Sequence, residues 1–207
     1  TTSYTVHAGR YKTRPNSVIT PTGERFEYAS PEETPALMAD LVQWYNDAVA
    51  EGKLTPIQLA ALFHYRYIRI HPFEDGNGRI ARLMVNFILR RHKWPMMVIR
   101  SKNKKSYLNA LALSDVAVGS IPADGAHASL KSISSFEAYM ETVLVSDISA
   151  MFEFLSGNIE TMWWYKGEII RFSTSTPARI LRVLQSDAYA SLSAISTTLG
   201  ISRSAIQ

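Results

Sequence analysis

The chain has 207 residues, 46% of them hydrophobic and 19% charged, with 22 Lys and Arg against 18 Asp and Glu for a net charge of +4. Those values exclude disorder and leave length for one substantial core plus a small second module, while the weak positive balance suits an anionic partner such as nucleotide phosphate. The absence of cysteine excludes a disulfide framework or thiolate metal site, and no apolar run nears the roughly 18–20 residues of a membrane span, so a soluble, cytoplasmic protein with no membrane partner is expected.

Residues 1–30 are rich in Thr, Ser, Pro, Gly and Tyr, and Ser17-Val18-Ile19 and Arg25-Phe26-Glu27-Tyr28 flank Thr20-Pro21-Thr22-Gly23. This predicts a β-hairpin. Ser30, followed by Pro31 and by Glu33 three residues on, gives an N-cap, a first-turn proline and a capping box for a helix that carries Leu37, Leu41, Trp44, Tyr45 and Ala48 on one face. Thr55-Pro56-Ile57-Gln58 repeats the signal and opens a helix striped with Leu59, Leu62, Phe63 and Tyr67. A proline and two glycines make 71–78 a loop, after which 79–91 returns to helical periodicity through Leu83, Val85, Phe87 and Leu89. Helices are further expected at about 103–117 and 135–165, with an Ala-, Ser- and Gly-containing connection over 118–134.

From Thr176 the pattern shortens: Pro177 opens one helix, Ser191 to Leu199 forms another that stops at Gly200, and Ser202 caps a third cut off at Gln207. That order predicts a partial helix-turn-helix, winged-helix-like module over 176–207, with Arg203 placed to reach DNA. Only Arg179, Arg182 and Arg203 supply positive charge there, so packing or formation of a homodimer is the preferred role. A first residue that is Thr and a last stretch that stops inside a motif are read as signs of a fragment or processed form.

The chemistry concentrates in His71-Pro72-Phe73-Glu74-Asp75-Gly76-Asn77-Gly78-Arg79-Ile80-Ala81-Arg82. Gly76 and Gly78 let the backbone turn and present N–H groups to an anion at a helix start, where the macrodipole also favours negative charge. Arg79 and Arg82 share a helix face and can reach phosphate oxygens. Asp75 offers a hard oxygen suited to Mg2+ held largely by phosphates, and His71 has the reference pKa of a base near neutrality.

This string resembles the signature of Fic-domain proteins, H-P-F-x-D/E-G-N-G-R-x-x-R, and matches it at every specified position. Gly9-Arg10-Tyr11-Lys12 through Val18 is similar to that family's flap hairpin, and residues 31 to about 165 to its helical core. The resemblance implies a mainly α fold, a Fic-type helical bundle with a β-hairpin flap. The division expected is 1–30 flap region, 31–170 helical core and 176–207 small helical module.

The resemblance also implies a protein adenylyltransferase that moves AMP from ATP to a Ser, Thr or Tyr hydroxyl, with self-modification as one outcome. His71 would be the base, and Asp75 would hold Mg2+. Gly76, Asn77 and Gly78 would bind phosphate oxygens, Arg79 and Arg82 would hold the β- and γ-phosphates, and Phe73 would anchor the loop. Tyr107 and Leu111, which recur with Asp115 every four residues, fall where the family places adenosine contacts; His64 is expected to be buried and hydrogen-bonded. Doc-type kinases of the superfamily carry lysine in place of the motif's second glycine, so Gly78 points to AMP transfer. Removal of AMP, and a DNA-binding regulator with a nucleotide-sensing domain, stand as alternatives. The family's inhibitory signature S/T-x-x-x-E-G/N is not found before Gly9; Ser149-Ala150-Met151-Phe152-Glu153 fits five letters and Phe154 breaks the sixth.

Overall fold

The computed structural model describes residues 9–19, 23, 25–157, 159–166 and 168–206. Two compact units divide the chain, residues 1–144 and residues 145–207. The architecture is mainly helical, with one two-stranded hairpin in each unit among the described residues.

In the first unit, strands β1 (Ser17–Ile19) and β2 (Arg25–Glu27) pair antiparallel with Ser17 opposite Glu27 and Ile19 opposite Arg25. Residues 1–8 of the predicted flap region, and 20–22 and 24 of its turn, lie outside the described residues. Helix α1 (Thr34–Glu51) follows. The capping box read at Ser30 is made, Ser30 N–H donating to Glu33 Oε2 at 2.9 Å and Glu33 N–H to Ser30 Oγ at 3.2 Å, although one turn precedes the regular helix. Thr55 and Gln58 close the same reciprocal pair at the start of α2 (Pro56–Ile70).

Helix α2 is the axis of this unit. Ile57, Leu59, Leu62, Phe63, Tyr65 and Ile70 are all buried, as befits a helix apolar on every side. It packs against α1, against α3 (Asn77–Arg91) and against the short α5 (Pro122–Ala126), which forms within the connection expected over 118–134. Fully buried Leu41, Leu59, Ile70 and Phe136 each contribute about 1.5–3 kcal/mol relative to exposure. Charged groups also lie inside, among them Arg69, which is 1% exposed, pairs with Asp115 of α4 (Lys104–Val118) at 3.3 Å, and donates to the Gly119 and Ile121 carbonyls at 2.8 Å each. Removing it would leave Asp115, which also accepts from the Tyr65 hydroxyl at 2.8 Å, without its cation and cost about 3–5 kcal/mol.

Helix α6 runs Ser134–Ser156 and stops short of the predicted end at 165. The remainder is a hairpin, β3 (Met162–Tyr165) against β4 (Glu168–Arg171), with Trp163 opposite Ile170 and Trp164 opposite Ile169. Trp, Tyr and Ile favour strands because they pack well across a pleated pair, and this outweighs the helical spacing of the same residues.

In the second unit α7 (Thr176–Ser186) and α8 (Leu192–Leu199) form as read, Ser191 capping α8 by accepting from Ala194 N–H and Gly200 ending it at φ 64°. The third helix expected from Ser202 is only a 3-10 turn over Arg203–Ala205, and Gln207 lies outside the described residues. Glu153 pairs with Arg171 inside this unit, so the near-match to the inhibitory signature has its carboxylate engaged there.

Candidate active site

The loop expected over 71–78 lies between the end of α2 and the start of α3 but is two residues shorter, since α3 already begins at Asn77. His71 terminates α2 with its own backbone in the left-handed region, φ 51° and ψ 60°, a conformation that costs a non-glycine residue about 1–3 kcal/mol and persists only where its surroundings enforce it. Its Nδ1 lies 3.2 Å from the Ile68 carbonyl, which accepts a hydrogen bond when Nδ1 carries the proton. That tautomer leaves Nε2 as the acceptor. Tyr28 stacks on the imidazole, ring centroids 3.8 Å apart and planes 11° from parallel.

Burial pushes the His71 pKa down to about 4; the Ile68 bond opposes this and the Lys12 ammonium adds to it. The ring is therefore neutral at neutral pH and ready to accept a proton.

A cleft of about 430 Å3 collects five of the predicted residues, His71, Gly78, Arg82, Tyr107 and Leu111, with Arg100 and Lys104 adding positive charge to its walls. A Cβ on Gly78 would stand 3.3 Å from Arg82 Nη1, so the glycine lets the guanidinium lie close over the helix start. Arg82 also lies against Tyr107, whose hydroxyl is pushed up to about 12 by burial while Arg82 opposes the rise. The Tyr107 hydroxyl meets Nε2 of fully buried His64 at 3.2 Å, matching the buried, hydrogen-bonded state expected of that histidine. Leu111 and Tyr28 also border a second, largely apolar cavity of about 650 Å3 between the hairpin and α4, with Val18, Ile19, Phe26 and Asp115 in its walls.

The outer part of the loop is arranged differently. Gly76 caps α3 at φ 84°, where a side chain would be strained. The Asn77 side chain is buried and used locally, Oδ1 accepting from Phe73 N–H at 2.9 Å and Nδ2 donating to the Phe73 carbonyl at 2.7 Å. It is thus a loop brace, and what Asn77 can offer phosphate is its backbone N–H, which has no intrahelical acceptor at a helix start. Phe73 is half-buried and packs on Tyr11 at 5.8 Å, an anchor to the segment before the hairpin.

Asp75 and Arg79 pair with each other at 3.0 Å, both exposed. Such a pair is worth little in water and yields readily to a ligand. A divalent ion fits this place in one way. Asp75 supplies one exposed hard carboxylate beside an anion-binding helix start, and among the described residues no group of three or more His, Asp or Glu gathers. One carboxylate would suffice for a Mg2+ ion carried mainly by phosphate oxygens and water.

Three residues to which the motif assigns no role belong to the site. Tyr28 covers His71, while Lys12 and Asn16 hold the backbone that carries it. Tyr28 follows Phe26 in the alternation of the second strand, a local signal for a strand face and silent about the partner.

Comparison with known proteins sets this geometry in a context. Residues 1–89 match the family model described as Fic/DOC family. Over 113 residues the chain is 37% identical to protein adenylyltransferase fic-1 of Caenorhabditis elegans, and over 85 residues 36% identical to protein adenylyltransferase Fic of Drosophila willistoni. These alignments cover 54% and 41% of this chain but only 21% and 17% of those proteins, so the chain spans about a fifth of the length of the curated relatives it matches. A solved structure of a Fic domain containing signaling protein from Bacteroides thetaiotaomicron superposes with a TM-score of 0.71 at 56% identity, covering 73% of this chain and 56% of that one.

Proposed function

We propose that this chain, whose residues 1–89 match the Fic/DOC family model, is a protein adenylyltransferase, transferring AMP from ATP to a Ser, Thr or Tyr hydroxyl of a protein and releasing pyrophosphate. The observation that carries the reading is His71, neutral, bonded through Nδ1 to Ile68 and sharing one cleft with Arg82. In the reaction the target oxygen bonds to the α-phosphorus, the bond from that phosphorus to the bridging oxygen of the β-phosphate breaks, and the hydroxyl proton passes to His71 Nε2. Arg82 and the N–H groups at the start of α3 hold phosphate oxygens, and Arg79 joins them when it leaves Asp75. Asp75 would hold Mg2+, which when bound neutralises phosphate charge and favours departure of pyrophosphate. Adenosine would lie toward Tyr107 and Leu111, which line the same cleft.

Gly78 supports AMP transfer over phosphoryl transfer. A longer side chain there would displace the Arg82 guanidinium from its place above the helix start. Incubation with ATP, Mg2+ and target proteins tests the choice through the released product. Pyrophosphate is expected; ADP would instead identify a phosphoryl transferase, and neither product would contradict the enzymatic reading.

For residues 176–206 the packing role is the better supported. Arg203 donates to Ser193 Oγ at 2.8 Å and Arg179 to the Leu199 carbonyl at 2.9 Å, so two of the three arginines there are engaged inside the module. Among the described residues no helix is long and apolar enough to cross a membrane.

A further inference from the structure

The last four carbonyls of a helix have no partner within it and must find donors elsewhere. At the end of α2 the Tyr67 carbonyl accepts from His71 N–H and the Arg69 carbonyl from Ala29 N–H, while the Ile70 carbonyl and the three that follow it are met by the segment that leads into the hairpin. Lys12, 3% exposed, donates from Nζ to the Ile70 carbonyl at 2.9 Å and to Asn16 Oδ1 at 2.8 Å, and from its backbone N–H to the Pro72 carbonyl at 2.8 Å. Asn16 Nδ2 donates to the His71 carbonyl at 3.2 Å and the Phe73 carbonyl at 3.1 Å. Four consecutive carbonyls, those of residues 70–73, are thus gripped by two side chains and one backbone amide. The Asn16 carbonyl in turn accepts from Tyr28 N–H at 3.3 Å, and Tyr28 is the residue stacked on the imidazole.

We infer that Lys12 and Asn16 are positioning residues that hold His71 in its left-handed conformation, with Nδ1 on Ile68 and Nε2 in the cleft, and that they couple His71 to the hairpin through Tyr28. Two features support a role beyond closing a helix end. A buried ammonium is costly to desolvate, and burial lowers the Lys12 pKa to about 8 with Glu33 opposing. The residue held is also the one non-glycine position between α2 and α3 with a positive φ, so loosening its flanking carbonyls lets the chain relax toward ordinary backbone and swings the ring.

The inference rests on reading His71 as the base, and the test separates the two. Asn16→Ala removes both side-chain donors to the loop, and Lys12→Met keeps the stem while deleting the ammonium; either suffices should the other fail to fold. In folded variants kcat for AMP transfer should fall about ten- to a hundredfold, the range of a small misplacement of a reacting group, while KM and Kd for ATP stay within about twofold. Imidazole 15N spectra, with His71→Ala used for assignment, should show His71 as the Nδ1–H tautomer in the wild type and a tautomer mixture in the variants. Unchanged His71 signals in a folded variant overturn the inference whatever the rate does. Absence of AMP transfer by the wild type would overturn the enzymatic reading alone, because the imidazole spectra judge the positioning independently.

Discussion

Two corners of the molecule are built by the same local rule and end in different chemistry. In each, a helix and an adjoining turn meet at a glycine in the left-handed region, Gly76 at φ 84° before α3 and Gly200 at φ 64° after α8. At the second corner the charged side chains fold back onto the module itself, Arg179 donating to the Leu199 carbonyl and Arg203 to Ser193 Oγ. At the first, the bracing is done by Asn77, Lys12 and Asn16, and His71 and Arg82 are left facing a cleft. What separates a packing corner from a reactive one is which residues supply the backbone's missing hydrogen bonds. Where neutral or buried donors do so, the charged groups remain available to a ligand.

The sharpest way to break this contrast is His71→Ala. The rate of AMP transfer should drop by about 10²–10⁴, the contribution of a general base, with ATP affinity unchanged. Equal loss of affinity and rate would make His71 a binding residue. Arg82→Ala comes next and should weaken ATP binding about ten- to a hundredfold, since charge-assisted bonds to phosphate are lost, as measured by titration calorimetry. Asp75→Ala should make the remaining activity insensitive to added Mg2+, and a dependence identical to wild type would move the metal ligand elsewhere.

The pH dependence carries a sign that can be checked. His71 must be neutral to accept a proton and its pKa is lowered to about 4, so kcat/KM should hold from neutrality down to about pH 5 and fall through the region near 4. Bound ATP places negative charge beside the ring and favours its protonated form, so the acid limb of kcat should lie above that of kcat/KM. An acid limb of kcat/KM at the ordinary histidine value of about 6.5 would contradict the buried, Tyr28-covered imidazole. The smallest effect belongs to the other corner. Arg203→Ala should leave AMP transfer within about twofold and lower Tm by at most a few degrees, as for a surface hydrogen bond, and an extended chain should show no specific gel shift with DNA at low salt. Salt-sensitive binding lost in that variant would make the module a DNA reader.

What the sequence revealed, and what it hid, follows from the range of the contacts. The capping boxes at Ser30 and Thr55, the glycine cap after α8 and the break between α2 and α3 are written in residues a few positions apart, and each forms, the break ending two residues earlier than read. The motif names its own residues but is silent on the amide of Asn77, which bonds the Phe73 backbone, because whether a side chain meets its own loop depends on where Phe73 ends up. Tyr28, Lys12 and Asn16 act on a loop distant in sequence, so no local pattern ties them to His71. The overrun of α6 has a third cause. Met162 to Tyr165 can be placed on a helical face, and only their pairing with Glu168–Arg171 makes them a strand.

The most direct measurement uses ATP labelled at the α-phosphorus or at the γ-phosphorus, offered with Mg2+ to the wild-type chain and to His71→Ala, with protein-bound label counted over time. Label on a protein hydroxyl from the α-position only, and only with His71 present, is the predicted result. Transfer of γ-label, or α-label transfer that persists without His71, would contradict the role given to the first corner.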